Sequence, residues 1–423
     1  MSVTLASKVG RRPILSVVQS TLVVMRILHT SDWHVGRTFH GNATLEHLEV
    51  VLRALAEVVA KHRVDVVVVA GDIFDTAAPN SAAMELLGRM LQQIITMGAQ
   101  IVLTSGNHDS PARLGYLAGF TSASGLHILT SPEKLDQPIS ITDPGGGEVL
   151  FFGIPFLEPT MIRHLAPDRD LRSQADAMEW AMERIRDAAP AGSRYVVAAH
   201  TFAVPGRSSS DEAITAVSQD RESDYTLAAK SAPRDFTRGG VDSVPADVFA
   251  GAAYVALGHL HGRSQLANNI RYSGAPLFYS FGETGRRRGS WLVDLDSTGE
   301  VDVTWVDLPI PRQVKQLTGE LAALLTAPEY LDAENCWVKA VLTDNTRPVD
   351  AMRLLQQRFP YCAEIEYRPK EKYHDGAASY SERIKTLSDL EITADFLAHV
   401  RNGMGPTPEE QLLISDLMQG GTQ

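Results

Sequence analysis

The sequence predicts an α/β protein: two packed sheets flanked by helices, then a small α+β unit and a helical tail. Three observations predict it. Short apolar strands alternate with amphipathic helices from Met25 onward. The run Val64–Ala70 is almost unbroken β-branched sequence, as in a strand covered on both faces. Beyond residue 149 the strands come at less regular spacing, which suggests a second sheet, antiparallel, packed on the first.

The elements follow in order. Arg26–Thr30 is a strand. Thr44–His62 carries Leu45, Leu48, Leu52, Leu55 and Val59 on one stripe and reads as a helix. After the strand Val64–Ala70, Ser81–Met97 is a helix closed by Gly98, and Ile101–Thr104 is a strand. Later strands are expected at Val149–Gly153, Tyr195–Ala199, Tyr254–Leu257, Ile270–Ser273, Trp291–Leu295 and Val301–Leu308. Pro309-Ile310-Pro311 reads as a linker. The small unit then needs strands at Val314–Leu317, Trp337–Leu342 and Cys362–Tyr367, with helices at Glu320–Leu325 and Pro348–Phe359. Tyr373–Ser381 is a polar connector. Leu390–Val400 and Thr407–Met418 close the chain as helices, the second opening with Thr-Pro-Glu-Glu. The divisions are an extension at 1–24, a main domain at 25–308, a small domain at 309–372, and a connector with two helices at 373–423. The extension has basic residues before a broken apolar stretch but no cleavage-site pattern, so it reads as disordered rather than as a signal peptide.

Composition narrows the function. The chain has 423 residues, 39 Lys+Arg against 51 Asp+Glu and a net charge of -12. That balance argues against binding nucleic acid by bulk charge alone, but leaves room for local basic loops. Two cysteines, Cys336 and Cys362, are too few for a disulfide framework or a zinc ribbon and read as buried thiols. The longest apolar runs, such as Val66–Ala70, fall far below the ~20 residues of a bilayer span.

The chemistry sits in five short motifs: Asp32-Trp33-His34, Gly71-Asp72, Gly106-Asn107-His108-Asp109, Ala199-His200 and Gly258-His259-Leu260-His261. Each follows an expected strand, and sites of α/β sheets form beyond the carboxyl ends of strands. Singly, Asp-x-His after a strand and Gly-Asp are more often turns or caps, while Asn-His-Asp after Gly106 and Gly-His-x-His are moderately specific; five in succession point to one site. Mixed carboxylate, amide and imidazole donors suit manganese, iron or zinc better than magnesium or calcium. Seven candidate ligands exceed one ion, and a carboxylate shared by two ions about 3.5–4 Å apart fits the count.

These motifs, with Asp72-Ile-Phe-Asp75 and Tyr272-Ser-Gly-Ala-Pro-Leu277, resemble the calcineurin-like metallophosphoesterase superfamily. Within it they are most similar to the bacterial nuclease subunits that work with an SbcC-type ATPase. The resemblance spans roughly residues 25–423 and is weakest beyond 309. It implies a two-sheet metallophosphoesterase sandwich with a DNA-capping domain at 309–372 and tail helices that dock on the ATPase. It implies two divalent ions, manganese first. Asp32, His34 and His261 would hold one, Asn107, His200 and His259 the other, and Asp72 would bridge them. His108 would be the catalytic histidine, and Asp75 would orient it by a hydrogen bond. Asp109 reads as a supporting group and Trp33 as packing, with DNA stacking as its alternative.

The implied activity is exonuclease and endonuclease cleavage at double-stranded DNA ends and hairpins, in repair and recombination, in a cytoplasmic, nucleoid-associated homodimer within a heterotetramer. ATP use must come from the partner, since no G-x-x-x-x-G-K-[ST] loop occurs. Arg37, Arg113, Arg207, Arg263, Arg286, Arg287 and Arg288 are candidate phosphate contacts. An apparent insertion at 206–231 lies between the motifs of His200 and His259. Two alternatives stay open: a phosphoesterase for small phosphodiesters, and an inactive scaffold for the ATPase.

Overall fold

The computed structural model describes residues 24–206, 243–370, 387–401 and 403–420. The expected extension before Val24, the insertion beyond Gly206 with Arg207, and the connector at 373–381 lie outside these residues.

The main domain contains β1 (Met25–Thr30), α1 (Leu45–His62), β2 (Val66–Ala70), α2 (Ser81–Thr96), β3 (Gln100–Thr104), β4 (Leu126–Leu129), β5 (Ile139–Thr142) and β6 (Glu148–Ile154). It continues with α3 (Gln174–Ala188), β7 (Arg194–His200), β8 (Tyr254–Gly258), β9 (Ser264–Ala267), β10 (Ile270–Tyr272), β11 (Gly289–Leu295) and β12 (Val301–Asp307). The first sheet has the order β12-β11-β1-β2-β3-β4, and β1 to β4 are parallel. The second has the order β9-β10-β8-β7-β6-β5.

Alternation along β2 shows how the layers stack. Val66, Val68 and Ala70 enter the core between the sheets with Phe151, Val196, Ala198 and Tyr254. Val67 and Val69 point the other way, onto the buried stripe Leu48, Leu52, Leu55 and Val59 of α1. A strand buried on both faces needs no polar alternation, which is why its sequence is continuous valine.

The second sheet corrects an expectation. It is not antiparallel: β10, β8, β7 and β6 are parallel, and only the edge strands β9 and β5 run against their neighbours. The cause is α3, which the sequence reading did not include. It carries the chain from the end of β6 back to the start of β7, and a crossover of that kind makes the joined strands parallel. Its Met178, Ala181, Met182 and Ile185 cover Phe152, Val197 and Val255.

The small domain has β13 (Val314–Gly319), α4 (Leu321–Thr326), β14 (Trp337–Leu342), α5 (Ala351–Arg358) and β15 (Cys362–Tyr367), with three parallel strands in the order β13-β14-β15. The helix expected from Pro348 starts only at Ala351, after Asp350 in a left-handed conformation (φ 55°). Cys336 and Cys362 are buried free thiols. Trp337 stacks on Phe39 of the main domain, ring centroids 5.0 Å apart and 22° from parallel. The tail helices α6 (Asp389–Val400) and α7 (Pro408–Gly420) are tied by the Arg401–Glu410 pair at 2.6 Å. They leave Phe396, Leu412, Leu413 and Leu417 exposed. Among the described residues no helix is long and apolar enough to cross a membrane.

Candidate metal centre

Five parallel strands, from both sheets, end at one rim. Asp32 and His34 follow β1, Asp72 follows β2, Asn107 and His108 follow β3, His200 ends β7, and His259 and His261 follow β8. The backbone there is tightly folded. Asp32, His34, Asp72 and His259 all have positive φ (53°, 44°, 49° and 104°), a conformation that costs non-glycine residues energy and needs a rigid surround. The motif glycines make the approach possible: a Cβ on Gly106 would lie 2.1 Å from Asp72 Oδ1, and one on Gly258 would lie 1.8 Å from the carbonyl oxygen of Ala70.

The seven expected ligands come together. Asp72 Oδ2 is 3.5 Å from His34 Nε2 and 3.4 Å from His200 Nε2, so it is common to both halves of the set. His34 Nε2 is 3.2 Å from His261 Nε2. Asn107 Oδ1 is 3.2 Å from both His200 Nε2 and His259 Nδ1. Asp32 accepts the main-chain N–H of His259 at 3.0 Å and the Ser31 hydroxyl. Supporting partners fix the ring nitrogens: His200 Nδ1 donates to the carbonyl of Ala70 at 2.9 Å, which turns the Nε2 lone pair inward.

This donor set fits cations. Nδ1 of His34 is buried and has no hydrogen-bond partner, and its Nε2 faces another imidazole nitrogen. Burial, before all else, pushes His34 well below its ordinary value and His259 down to about 3, so both offer neutral lone pairs. Burial also raises Asp32. At Asp72 burial works the other way from its neighbours, and the imidazoles of His200 and His34 win, holding the carboxyl well below the usual range. Burial opposes charge on His200, yet Asp72 and Asp32 raise it to about 9. The acids of the set thus favour positive charge beside them, which a divalent ion would bring.

His108 stands at the rim, its ring 4.7 Å from that of His34 and edge-on to it. Its expected bond to the Asp75 carboxylate is not the one formed. His108 Nδ1 donates to the main-chain carbonyl of Asp75 at 2.9 Å. The carboxylate turns instead to Arg37 Nη1 at 3.3 Å and His34 Nδ1 at 3.6 Å, where a cation and an unpartnered ring nitrogen compete for it. Asp109 lies beneath, accepting the N–H groups of Ile73, Phe74 and Gly106, and so pins the Asp72 loop to the Asn107 loop. Burial raises its carboxyl to about 6. Trp33 is fully buried and bonds Thr30, which leaves no face for a base to stack on.

The arginines divide. Arg37 lies at the site, over the ring of Tyr279. Arg113 is exposed and holds the carbonyl of Ala77. Arg263 sits over Trp305 and is partly exposed, as is Arg286, while Arg287 is exposed and paired with Asp307. Arg288 is a correction: it is 2% exposed and paired with buried Glu283, so it cannot contact DNA. Glu283 and Tyr279, which the sequence did not single out, both reach the ligands. Glu283 accepts from His261 Nδ1 at 3.2 Å, and Tyr279 packs edge-on to His34 and His261.

The model of the calcineurin-like phosphoesterase family matches residues 25–263. A model described as the type 5 capsule protein repressor C-terminal domain matches residues 310–401. The D component of the nuclease SbcCD of Staphylococcus epidermidis is 27% identical over 338 residues, which cover 79% of this chain and 83% of that protein. Two solved structures are similar at a low level. GAP50, the anchor in the inner membrane complex of Plasmodium, has a TM-score of 0.39 at 12% identity, over 82% of this chain and 98% of that one. A dimetal phosphatase from Danio rerio has a TM-score of 0.37 at 13% identity, over 67% and 98%. At such scores neither bears on the fold.

Proposed function

The chain belongs to the calcineurin-like phosphoesterase family, and from that premise we propose that it is a two-metal DNA nuclease subunit of the SbcCD type. The observation that carries the reading is that seven donors meet at one rim, with Asp72 against both His34 and His200 and with His108 beside them. On this reading Asp32, His34 and His261 would hold one divalent ion and Asn107, His200 and His259 the other, with Asp72 shared between them; manganese is the expected metal. When bound, the ions would supply Lewis acidity to the phosphodiester and would lower the pKa of a water enough to give a hydroxide nucleophile.

The chain's own groups do the rest. The bond from His108 Nδ1 to the Asp75 carbonyl leaves Nε2 as the nitrogen that handles a proton, at the departing sugar oxygen. Arg37, steadied by Asp75 and Tyr279, is placed to meet a phosphate. Arg113, Arg263, Arg286 and Arg287 position the DNA backbone at ends and hairpins. The domain at 309–372 caps the DNA. The exposed apolar residues of α6 and α7 support docking on an SbcC-type ATPase, which supplies ATP hydrolysis to a cytoplasmic heterotetramer built on a homodimer.

The test is cleavage of duplex DNA ends by the purified chain with manganese, with and without an SbcC-type partner. His108→Gln is expected to lower cleavage 10²–10⁴-fold while metal binding is retained. Cleavage of small chromogenic phosphodiesters but of no DNA, with or without the partner, would overturn the reading.

A further inference from the structure

His261 differs from the ligands His34 and His200. The side chains of His34 and His200 are fully buried, whereas that of His261 is 15% exposed. Close packing alone therefore does not hold its ring. What holds it is a buried ion pair in the segment that precedes β11. Glu283 is 1% exposed, and its Oε1 lies 3.2 Å from His261 Nδ1 and 3.2 Å from the Ser280 hydroxyl. Its Oε2 accepts the N–H of Tyr279 at 3.2 Å and a bond from Arg288. Arg288 also donates to the carbonyl of His261 at 2.5 Å, and its guanidinium lies over the ring of Phe278. The pair thus grips His261 twice, at the ring and at the main chain.

Burying a carboxylate with a guanidinium is a poor way to gain stability, because desolvation offsets most of the attraction. It is an effective way to fix a ring. A carboxylate at Nδ1 keeps the proton there and aims the Nε2 lone pair inward, where it lies 3.2 Å from His34 Nε2. We propose that Glu283 is the positioning residue for the metal ligand His261, with Arg288 as the holder of that carboxylate. The proposal rests on the two-metal reading above.

The experiment is calorimetric titration of the full chain with manganese, for the wild type, Glu283→Gln, and Glu283→Gln with Arg288→Met. The double variant leaves no uncompensated buried charge, so folding and positioning are separable. The wild type is expected to bind two ions. Both variants are expected to bind one of them about 10–100-fold more weakly and the other unchanged. The near-ultraviolet circular dichroism of the double variant should match the wild type, and its lost cleavage should return at raised manganese, which a damaged fold would not allow. Two ions bound with wild-type affinity by the folded double variant would overturn the proposal alone. A wild type that binds no manganese would overturn the metal-centre reading, and the proposal with it.

Discussion

His29 lies fully buried at the junction of the two sheets, with Nδ1 3.0 Å from the Tyr254 hydroxyl and Nε2 3.1 Å from the carbonyl of Leu257. A carbonyl only accepts, so Nε2 carries the proton and Nδ1 accepts from Tyr254. Burial pushes this imidazole down to about 3. The folded value lies below the unfolded one, so the stability it contributes is complete above about pH 6.5 and is lost as pH falls towards 3. Each pH unit below 6.5 is expected to cost about 1.4 kcal/mol. Urea denaturation from pH 7.5 to pH 5 should show a dependence on pH that is changed by about this amount in His29→Gln relative to the wild type; equal slopes would refute the assignment. Residues differ in how legible they are. Asp32, Asp72 and His200 could be read because each stands at or just past the end of a strand, in a motif. Arg286, Arg287 and Arg288 read as one basic patch, because chain order does not show which way a side chain turns. Arg287 faces solvent and Arg288 turns inward to Glu283. The Asp75 bond was misread for a similar reason: its carbonyl, not its side chain, meets His108.

Elements with a strong pattern were legible to within a residue or two. Helix α1 has a continuous apolar stripe and β2 is a valine run, and both fall where expected. Helix α3 was missed because Glu179, Glu183, Arg184 and Arg186 break up its buried residues. Without that crossover, β6, β7 and β8 looked like an irregular meander, and the antiparallel reading of the second sheet followed. A local signal was present. Ser173 accepts from the N–H of Asp176, while the Asp176 carboxylate accepts the N–H of Ser173, a complete capping box. Ser173→Ala leaves orphan N–H groups at the helix start and is expected to cost about 1 kcal/mol. Thermal melting of the variant should show the loss with the fold unchanged by circular dichroism; an unchanged melting midpoint would mean that the cap does not limit α3.

At the scale of the molecule, the candidate centre is a joint between layers. Asp32, His34, Asp72 and Asn107 come from the ends of first-sheet strands; His200, His259 and His261 come from the second sheet. Between the sheets lie mostly apolar side chains such as Val68, Val102, Phe151 and Val196, which grip without direction, and His29 bonds across them to Tyr254 and Leu257. Ions held from both sides would add a directional link at the rim, and they would offset carboxylates in a chain of net charge -12. The unfolded chain scatters these ligands over about 230 residues of sequence, so it competes weakly for metal. Manganese at about 100 times its dissociation constant is therefore expected to stabilise the main domain by about 2.7 kcal/mol for each ion bound. The measurement is differential scanning calorimetry in chelator and in manganese. The transition of the main domain should rise by several degrees, whereas the small domain, whose own core of Leu317, Leu324, Val338 and Phe359 holds no ligand, should not move if it melts separately. A main transition at the same temperature in both buffers would mean that the seven donors do not bind metal across the two sheets.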